Sequence, residues 1–487
     1  MHLHINLSQK AVLILLAFMA SSFCSCNSGS GQNAAATSAD TQAVAKTTAY
    51  DVQLVKGKIA DSIACRDNSQ NYALYLPANY DPAKPWPCVF FFDAHARGAM
   101  PVSMYKKTAE RYGFVLIGSN ASKNGIAWPV TETGVKALMQ DVQSRINIDP
   151  KRIYTSGFSG GSRVASSVAI FDGGIAGVIG CAAGFPQAQQ GIQNKFDYVG
   201  LAGAYDFNLS EMEQLDETLE HNGFHHQLLT AAAIHSWASA ADFETGVLWL
   251  QINAMKEHLQ PKNDTLVNAL KKDLATRITT AKATGDWISA YRLSAGIAKA
   301  LEGLTDITAY KKQAEEISAS TAYKSAITVQ AQLQTEEIDG QQELQKEFAQ
   351  HDEQWWTGKI AGLNKNSKDV KQLQRSQMNR RLLSYLGFIC YMYSDHALKS
   401  GDLANADGYI RIFKLADPKN PDCSYLRAIY WTEKGDNSHA LSSLQEAIQA
   451  GYSDITQLLT DPAFSSLHND AGFKEIAGRV RRNMLVD

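Results

Sequence analysis

The sequence predicts a doubly wound, mostly parallel α/β domain followed by an all-α helical domain. Three observations carry that expectation. Between about Tyr50 and Gln260, short apolar runs alternate with helical stretches of roughly ten to fifteen residues. Beyond Gln260 the strand signal stops and an Ala-, Leu-, Lys- and Gln-rich helical pattern takes over. Within that second part a Gly-Asp-x-x-x-Ala pattern returns after 34 positions. A chain of 487 residues exceeds one compact domain, and 45% hydrophobic with 20% charged residues is ordinary globular composition.

The strand–helix part reads in order. Asn71–Leu76 alternates apolar and polar residues and stops at Pro77, as a half-buried strand does. After a Pro-rich loop, Cys88–Phe92 is a continuous apolar run, suited to a strand covered on both faces. Met104–Arg111 reads as helix, Phe114–Gly118 as strand, Val135–Ile146 as helix and Arg152–Thr155 as strand. A helix from Ser162 to Ile170 follows, then strands at Ile175–Cys181, Tyr198–Leu201 and Gln227–Leu229, with helices at Leu209–Glu220 and Phe243–Lys256.

In the helical part, Gly401, Asp402 and Ala406 recur as Gly435, Asp436 and Ala440, and Gly285, Asp286 and Ala290 repeat the same local spacing. Glycine lets two antiparallel helices turn, and alanine lets them approach closely. Helix pairs at this period resemble tetratricopeptide repeats, most clearly over residues 382–451; an irregular helical bundle is the alternative. Such repeats imply a possible protein partner.

The first 26 residues read as a signal peptide. Ala11–Ala20 is an apolar run of ten residues, about half of what spans a bilayer as a helix. Its continuation to Cys26 resembles a bacterial lipoprotein signal, with Cys26 the acylated residue or Cys24 the alternative; ordinary cleavage without a lipid remains open. Residues 27–49, rich in Ser, Ala, Gly and Thr, read as a flexible tether. The chain is therefore expected to be exported and lipid-anchored in a bacterial envelope, facing the periplasm or the cell surface. A net charge of −3 without a clustered basic face excludes a nucleic-acid partner on electrostatic grounds. The cysteines show no metal-ligand spacing, so no zinc site is implied, and buried free thiols are the reading for Cys88 and Cys181.

The chemistry centres on Gly157-Phe158-Ser159-Gly160-Gly161. A Gly-x-Ser-x-Gly run is weak evidence alone; between a strand and a helix start it is strong, because the glycines clear room for a sharp turn that lifts a serine above a sheet edge. Here the chain resembles the α/β-hydrolase superfamily, in particular esterases related to polyester depolymerases, feruloyl esterases and prolyl-oligopeptidase-like enzymes. Tyr72–Asp93 is similar to the second and third strands of that group. The resemblance spans about Tyr50 to Lys256, within a catalytic domain set at 50–260 that leaves 261–487 to the helical domain. It implies a triad in the chain order Ser, acid, His.

Asp206, at the carboxyl end of the apolar run Tyr198–Tyr205, is the candidate acid; Asp197 and Asp172 are poorer choices. His235, 29 residues beyond Asp206, is the candidate base, although Ala233-Ile234 stands where the family usually has glycine. His221, His225 and His226 precede the last strand and fall at the wrong edge. Gly160 is expected to give one oxyanion donor and Ala94 or His95 the other. Trp128, Trp237 and Arg97 are candidate substrate contacts, with core packing the equal alternative for the tryptophans and bracing of Asp93 the favoured role for Arg97. The short connection between the strands ending at Cys181 and starting at Tyr198 leaves no room for a lid, which favours an open cleft and bulky or polymeric esters. Carboxylic-ester hydrolysis without metal or organic cofactor is the expected function. Peptide cleavage by the same triad and an inactive scaffold presenting the repeats are the alternatives.

Overall fold

The computed structural model describes residues 54–186, 192 and 194–484. The proposed signal, both candidate lipidation cysteines and the tether lie outside the described residues.

Eight strands form one sheet: β1 (Ile59–Ala64), β2 (Asn71–Tyr75), β3 (Trp86–Phe92), β4 (Val115–Ser119), β5 (Ile148–Phe158), β6 (Gly177–Cys181), β7 (Asp197–Gly203) and β8 (His226–Ala231). Their order is β1-β2-β4-β3-β5-β6-β7-β8. The pairs β1–β2 and β2–β4 are antiparallel, and every pair from β4–β3 onward is parallel. This is the sheet of the α/β-hydrolase fold. Strand β1 has no counterpart in the sequence reading. It is an edge strand in which only Ile63 is buried, so it carries no apolar alternation to read.

Helices α1 (Ala99–Tyr112), α2 (Trp128–Arg145), α3 (Gly160–Ser167), α4 (Leu209–His221) and α5 (Ala240–Lys256) connect and flank the strands. The continuous apolar strands serve two cores at once, because alternate side chains leave opposite faces. Phe90 and Phe92 of β3 pack with Leu138, Val142, Ala165 and Val168 on one face. Phe91 packs with Tyr105 and Phe243 on the other.

Beyond α5 the described chain is helical: α6 (Asp264–Thr284), α7 (Trp287–Leu301), α8 (Thr308–Ala319), α9 (Thr321–Glu347), α10 (Glu353–Asn366), α11 (Leu373–Lys399), α12 (Leu403–Ala416), α13 (Pro421–Glu433), α14 (Asn437–Gln449), α15 (Ile455–Thr460) and α16 (Ala471–Met484). The Gly-Asp turn adopts one geometry at all three places. Gly285, Gly401 and Gly435 have φ of 77°, 76° and 75°, a left-handed conformation that closes the preceding helix. Asp286, Asp402 and Asp436 then cap the next helix, each accepting from the N–H three residues on. Ala290, Ala406 and Ala440 are fully buried where the paired helices meet.

Residue 260 ends the strand-bearing chain but is no gap in packing. Leu270, Leu274, Ile297 and Leu301 from α6 and α7 belong to the same core as Phe91, Phe243 and Leu250. Charge adds to the join, since Arg292 of α7 meets Glu213 at 3.3 Å and Asp216 at 3.2 Å on α4. The described residues from Leu54 onward belong to one compact unit. No helix among the described residues is long and apolar enough to cross a membrane.

The shared core makes a thermodynamic prediction. Leu270→Ala should cost roughly 2–5 kcal/mol and lower the melting of sheet and helices together. Circular dichroism and tryptophan fluorescence check this; a helical transition that moves alone would contradict it.

Candidate active site

Strand β5 hands the chain to α3 through one residue, Ser159, with φ 54° and ψ −120°. A non-glycine residue there is strained by about 1–3 kcal/mol and persists only when its surroundings fix it. The surroundings do. Ser159 N–H donates to the Cys181 carbonyl at 2.9 Å, tying the turn to β6. A Cβ on Gly157 would sit 2.1 Å from the Gly161 carbonyl oxygen, and one on Gly161 would sit 2.0 Å from that of Phe92. Both glycines are thus required by close backbone approach.

Three side chains distant in sequence meet above this turn. His235 Nε2 lies 3.0 Å from Ser159 Oγ, and His235 Nδ1 lies 2.9 Å from Asp206 Oδ1. Asp206 is fully buried, and its Oδ1 also accepts the Asn208 N–H at 2.8 Å, an Asx turn that sets the carboxylate's direction. Two phenyl rings pack against the imidazole. Phe158 lies 4.9 Å from it and Phe207 stacks at 4.4 Å with a 30° interplanar angle. The glycine missing before His235 is met from across the sheet: a Cβ on Gly203 of β7 would lie 2.2 Å from the Ala233 carbonyl oxygen. Close approach is needed here, and the small residue stands on the other strand.

The competing residues lie elsewhere. His221 bonds the Glu217 carbonyl, His225 faces Asp197, and His226 lies between Asp216 and Glu220. Asp172 pairs with Lys136. Asp197 opens β7, so it stands at the opposite end of the sheet from Ser159.

On the oxyanion side, His95 N–H is already given to Asp93 Oδ1 at 2.8 Å, so His95 leaves the set of candidate donors. Ala94 N–H is engaged by no group among the described residues, and Gly160 N–H is a first-turn donor of α3 without an intrahelical partner. Of the two readings open for Arg97 and for Trp237, the structure selects bracing and packing. Arg97 forks onto Asp93 (Nε to Oδ1 2.8 Å, Nη2 to Oδ2 3.0 Å), and Trp237 Nε1 donates to Asp93 Oδ2 at 2.7 Å. Trp237 is 6% exposed, with its ring against Phe91, Tyr105 and Phe158. Both residues brace the loop rather than face a substrate. Burial pushes the Asp93 carboxyl up, but Arg97 and the Trp237 hydrogen bond outweigh it and leave it below its ordinary value. Trp128 opens α2, half-buried beside Phe171 at 5.7 Å.

Residues from the downstream helices stand beside the triad. Tyr385 and Phe388 of α11 pack against Phe207 beside the triad, and Asp422 and Asp454 lie within electrostatic reach of Arg97. Sequence reasoning missed these neighbours because they come from helices about 180 or more residues downstream. The Phe207 ring carried a signal, standing next to the acid in Asp206-Phe207-Asn208.

Among the described residues, one group has metal-ligand spacing: Asp197, His225 and Glu257, whose ligand atoms lie within 4.8 Å of one another. It sits at the far edge of the sheet. The five cysteines among the described residues are free and buried.

No protein-family model matches the chain, and no curated protein is similar to it in sequence. Solved structures resemble part of the chain. An S-formylglutathione hydrolase from Staphylococcus aureus aligns at 13% identity over 40% of this chain and 98% of its own, with a TM-score of 0.34. The feruloyl esterase module from Clostridium thermocellum aligns at 13% identity over 39% and 85%, with a TM-score of 0.32. Esterase B from Lactobacillus rhamnosis aligns at 14% identity over 43% and 90%, with a TM-score of 0.35.

The Asp93 hub predicts a pH-dependent cost. Asp93→Asn should destabilise the protein by about 3 kcal/mol at pH 7, because Arg97 loses its buried partner. A carboxyl whose folded pKa is depressed stabilises above its unfolded value of about 3.9 and loses that contribution as pH falls. The difference between wild type and variant should therefore shrink below about pH 4; a constant difference from pH 3 to 7 would contradict the assignment.

Proposed function

We propose that the chain is a serine hydrolase that cleaves carboxylic esters through an acyl-serine intermediate, exported and tethered to a membrane by a lipid on Cys26. The observation that carries the catalytic reading is the unbroken hydrogen-bond path from Ser159 Oγ through His235 to the buried Asp206 carboxylate.

The chemistry follows from that path. Ser159 Oγ attacks the ester carbon while its proton passes to His235 Nε2, and Asp206 stabilises the imidazolium through Nδ1–H. The carbonyl oxygen becomes an anion facing the N–H groups of Gly160 and Ala94, each worth roughly 3 kcal/mol in the transition state. Collapse breaks the bond to the alcohol, whose oxygen takes the proton from His235. Water then attacks the acyl-serine with His235 as base, releasing the acid and restoring the Ser159 hydroxyl. No group outside the protein is required beyond water and the ester.

A fluorophosphonate probe should label the wild type at Ser159, and Ser159→Ala should abolish labelling without lowering the melting temperature. Asp206→Asn should cut kcat for an aryl ester by roughly 10^3–10^4-fold at neutral pH. A wild type that neither labels nor hydrolyses a panel of acetyl, short-chain and feruloyl esters would favour the inactive-scaffold reading. For the anchor, Cys26→Ser should move the protein from the membrane to the soluble fraction while Cys24→Ser should not; the reverse pattern would place the lipid on Cys24.

A further inference from the structure

We infer that the C-terminal helical region is a working part of the active site, with Arg381 of α11 acting as a positioning residue for the Asp206–His235 pair. The inference rests on the hydrolase reading above and extends it to residues outside the strand-bearing half.

The acid stands in the short loop between β7 and α4, and α11 grips that loop at three of the positions around Asp206. Arg381 Nη1 donates to the Ala204 carbonyl at 3.0 Å. The Arg380 guanidinium covers the Tyr205 ring at 4.4 Å. Tyr385 and Phe388 pack on Phe207 at ring distances of 6.1 and 5.2 Å. Positions 381, 385 and 388 follow i, i+4, i+7 and so share one stripe of the helix. The same Phe207 ring stacks on the His235 ring at 4.4 Å. Contact therefore runs without a break from a downstream helix to the imidazole.

Arg381 is itself held. Its Nε reaches both Glu337 oxygens, at 2.8 and 3.0 Å, and Nη2 reaches Oε2 at 2.7 Å. Glu337, on α9, is 1% exposed. For stability alone a buried ion pair offers little over an apolar pair of similar volume. An apolar pair, however, could not donate to the Ala204 carbonyl. Asp206 supplies the second reason: its Oδ2 is buried and has no hydrogen-bond partner among the described residues. A buried polar atom without a partner costs free energy, and Arg381 lies within electrostatic reach of Asp206. Arg381 thus holds the loop's geometry and sets a cation near its carboxylate. Misplacement of a catalytic group by about 1 Å can cost on the order of 100-fold in rate.

The test uses the full-length chain and p-nitrophenyl acetate. Arg381→Met leaves Glu337 unpaired and risks unfolding, so the paired variant Glu337→Met/Arg381→Met is made beside it, with Arg381→Lys as the conservative change. Burst amplitude counts competent sites, steady-state rates give kcat per site and KM, and hydrogen exchange reads the backbone at residues 204–208. The paired variant should keep its burst amplitude and its KM within twofold, lose roughly ten- to a hundredfold in kcat per site, and exchange faster at 204–208. Arg381→Lys should recover part of the lost rate. Per-site turnover within twofold of wild type in the paired variant would overturn the inference, whatever the exchange shows. So would loss of competent sites at unchanged per-site rate, which marks a merely structural role. A wild type with no burst and no turnover fails the hydrolase reading instead, an outcome distinct from an active wild type beside an unimpaired variant.

Discussion

Ser159 holds a backbone conformation that an unconstrained chain avoids, and the rest of the site follows from the contacts that keep it there. Gly157 and Gly161 let β3, β5 and α3 approach to backbone contact, while the Ser159 N–H is tied to β6. With the turn fixed, the hydroxyl stands above the carboxyl ends of the parallel strands. There, β7 delivers Asp206 and the segment after β8 delivers His235. The relay is a consequence of sheet order: the two strands on the far side of β6 end where their loops can reach back over the turn.

Two polar hubs support that arrangement from opposite sides. Asp93 gathers the His95 N–H, the Arg97 fork and the Trp237 indole, and so shapes the loop beside the nucleophile while leaving Ala94 N–H free to donate. Arg381 gathers Glu337 and the Ala204 carbonyl, and so shapes the loop that bears the acid. The first hub is internal to the strand-bearing half. The second comes from the helical half, which also shares an apolar core with the sheet through α6 and α7. Part of the helical surface is therefore spent on the protein's own strand-bearing half.

Legibility in the sequence follows contact range. The elbow is local, so Gly157 to Gly161 declared it. Asp206 and His235 could be placed because each follows an apolar strand, and the ends of parallel strands define the edge where ligands bind. The edge strand β1 was invisible, since a strand with one buried residue has no pattern. The bracing of Asp93 by Arg97 was legible because only four positions separate them, whereas the bond from Trp237 was not, since that residue lies 144 positions from Asp93. Arg381 is 177 positions from Ala204, and nothing in its neighbourhood along the chain marks it. The Gly-Asp turns were legible for the opposite reason, because a left-handed glycine followed by a capping aspartate needs only adjacent residues.

The central claim is covalent: an acyl group resides on Ser159 during turnover. Acid-quenching a reaction with a slowly hydrolysed aryl ester, followed by peptide mass spectrometry, measures it most directly. The account predicts the acyl mass increment on the peptide bearing Ser159, rising and decaying with substrate. Hydrolysis at full rate with no such adduct, or with the adduct on a different residue, would contradict it.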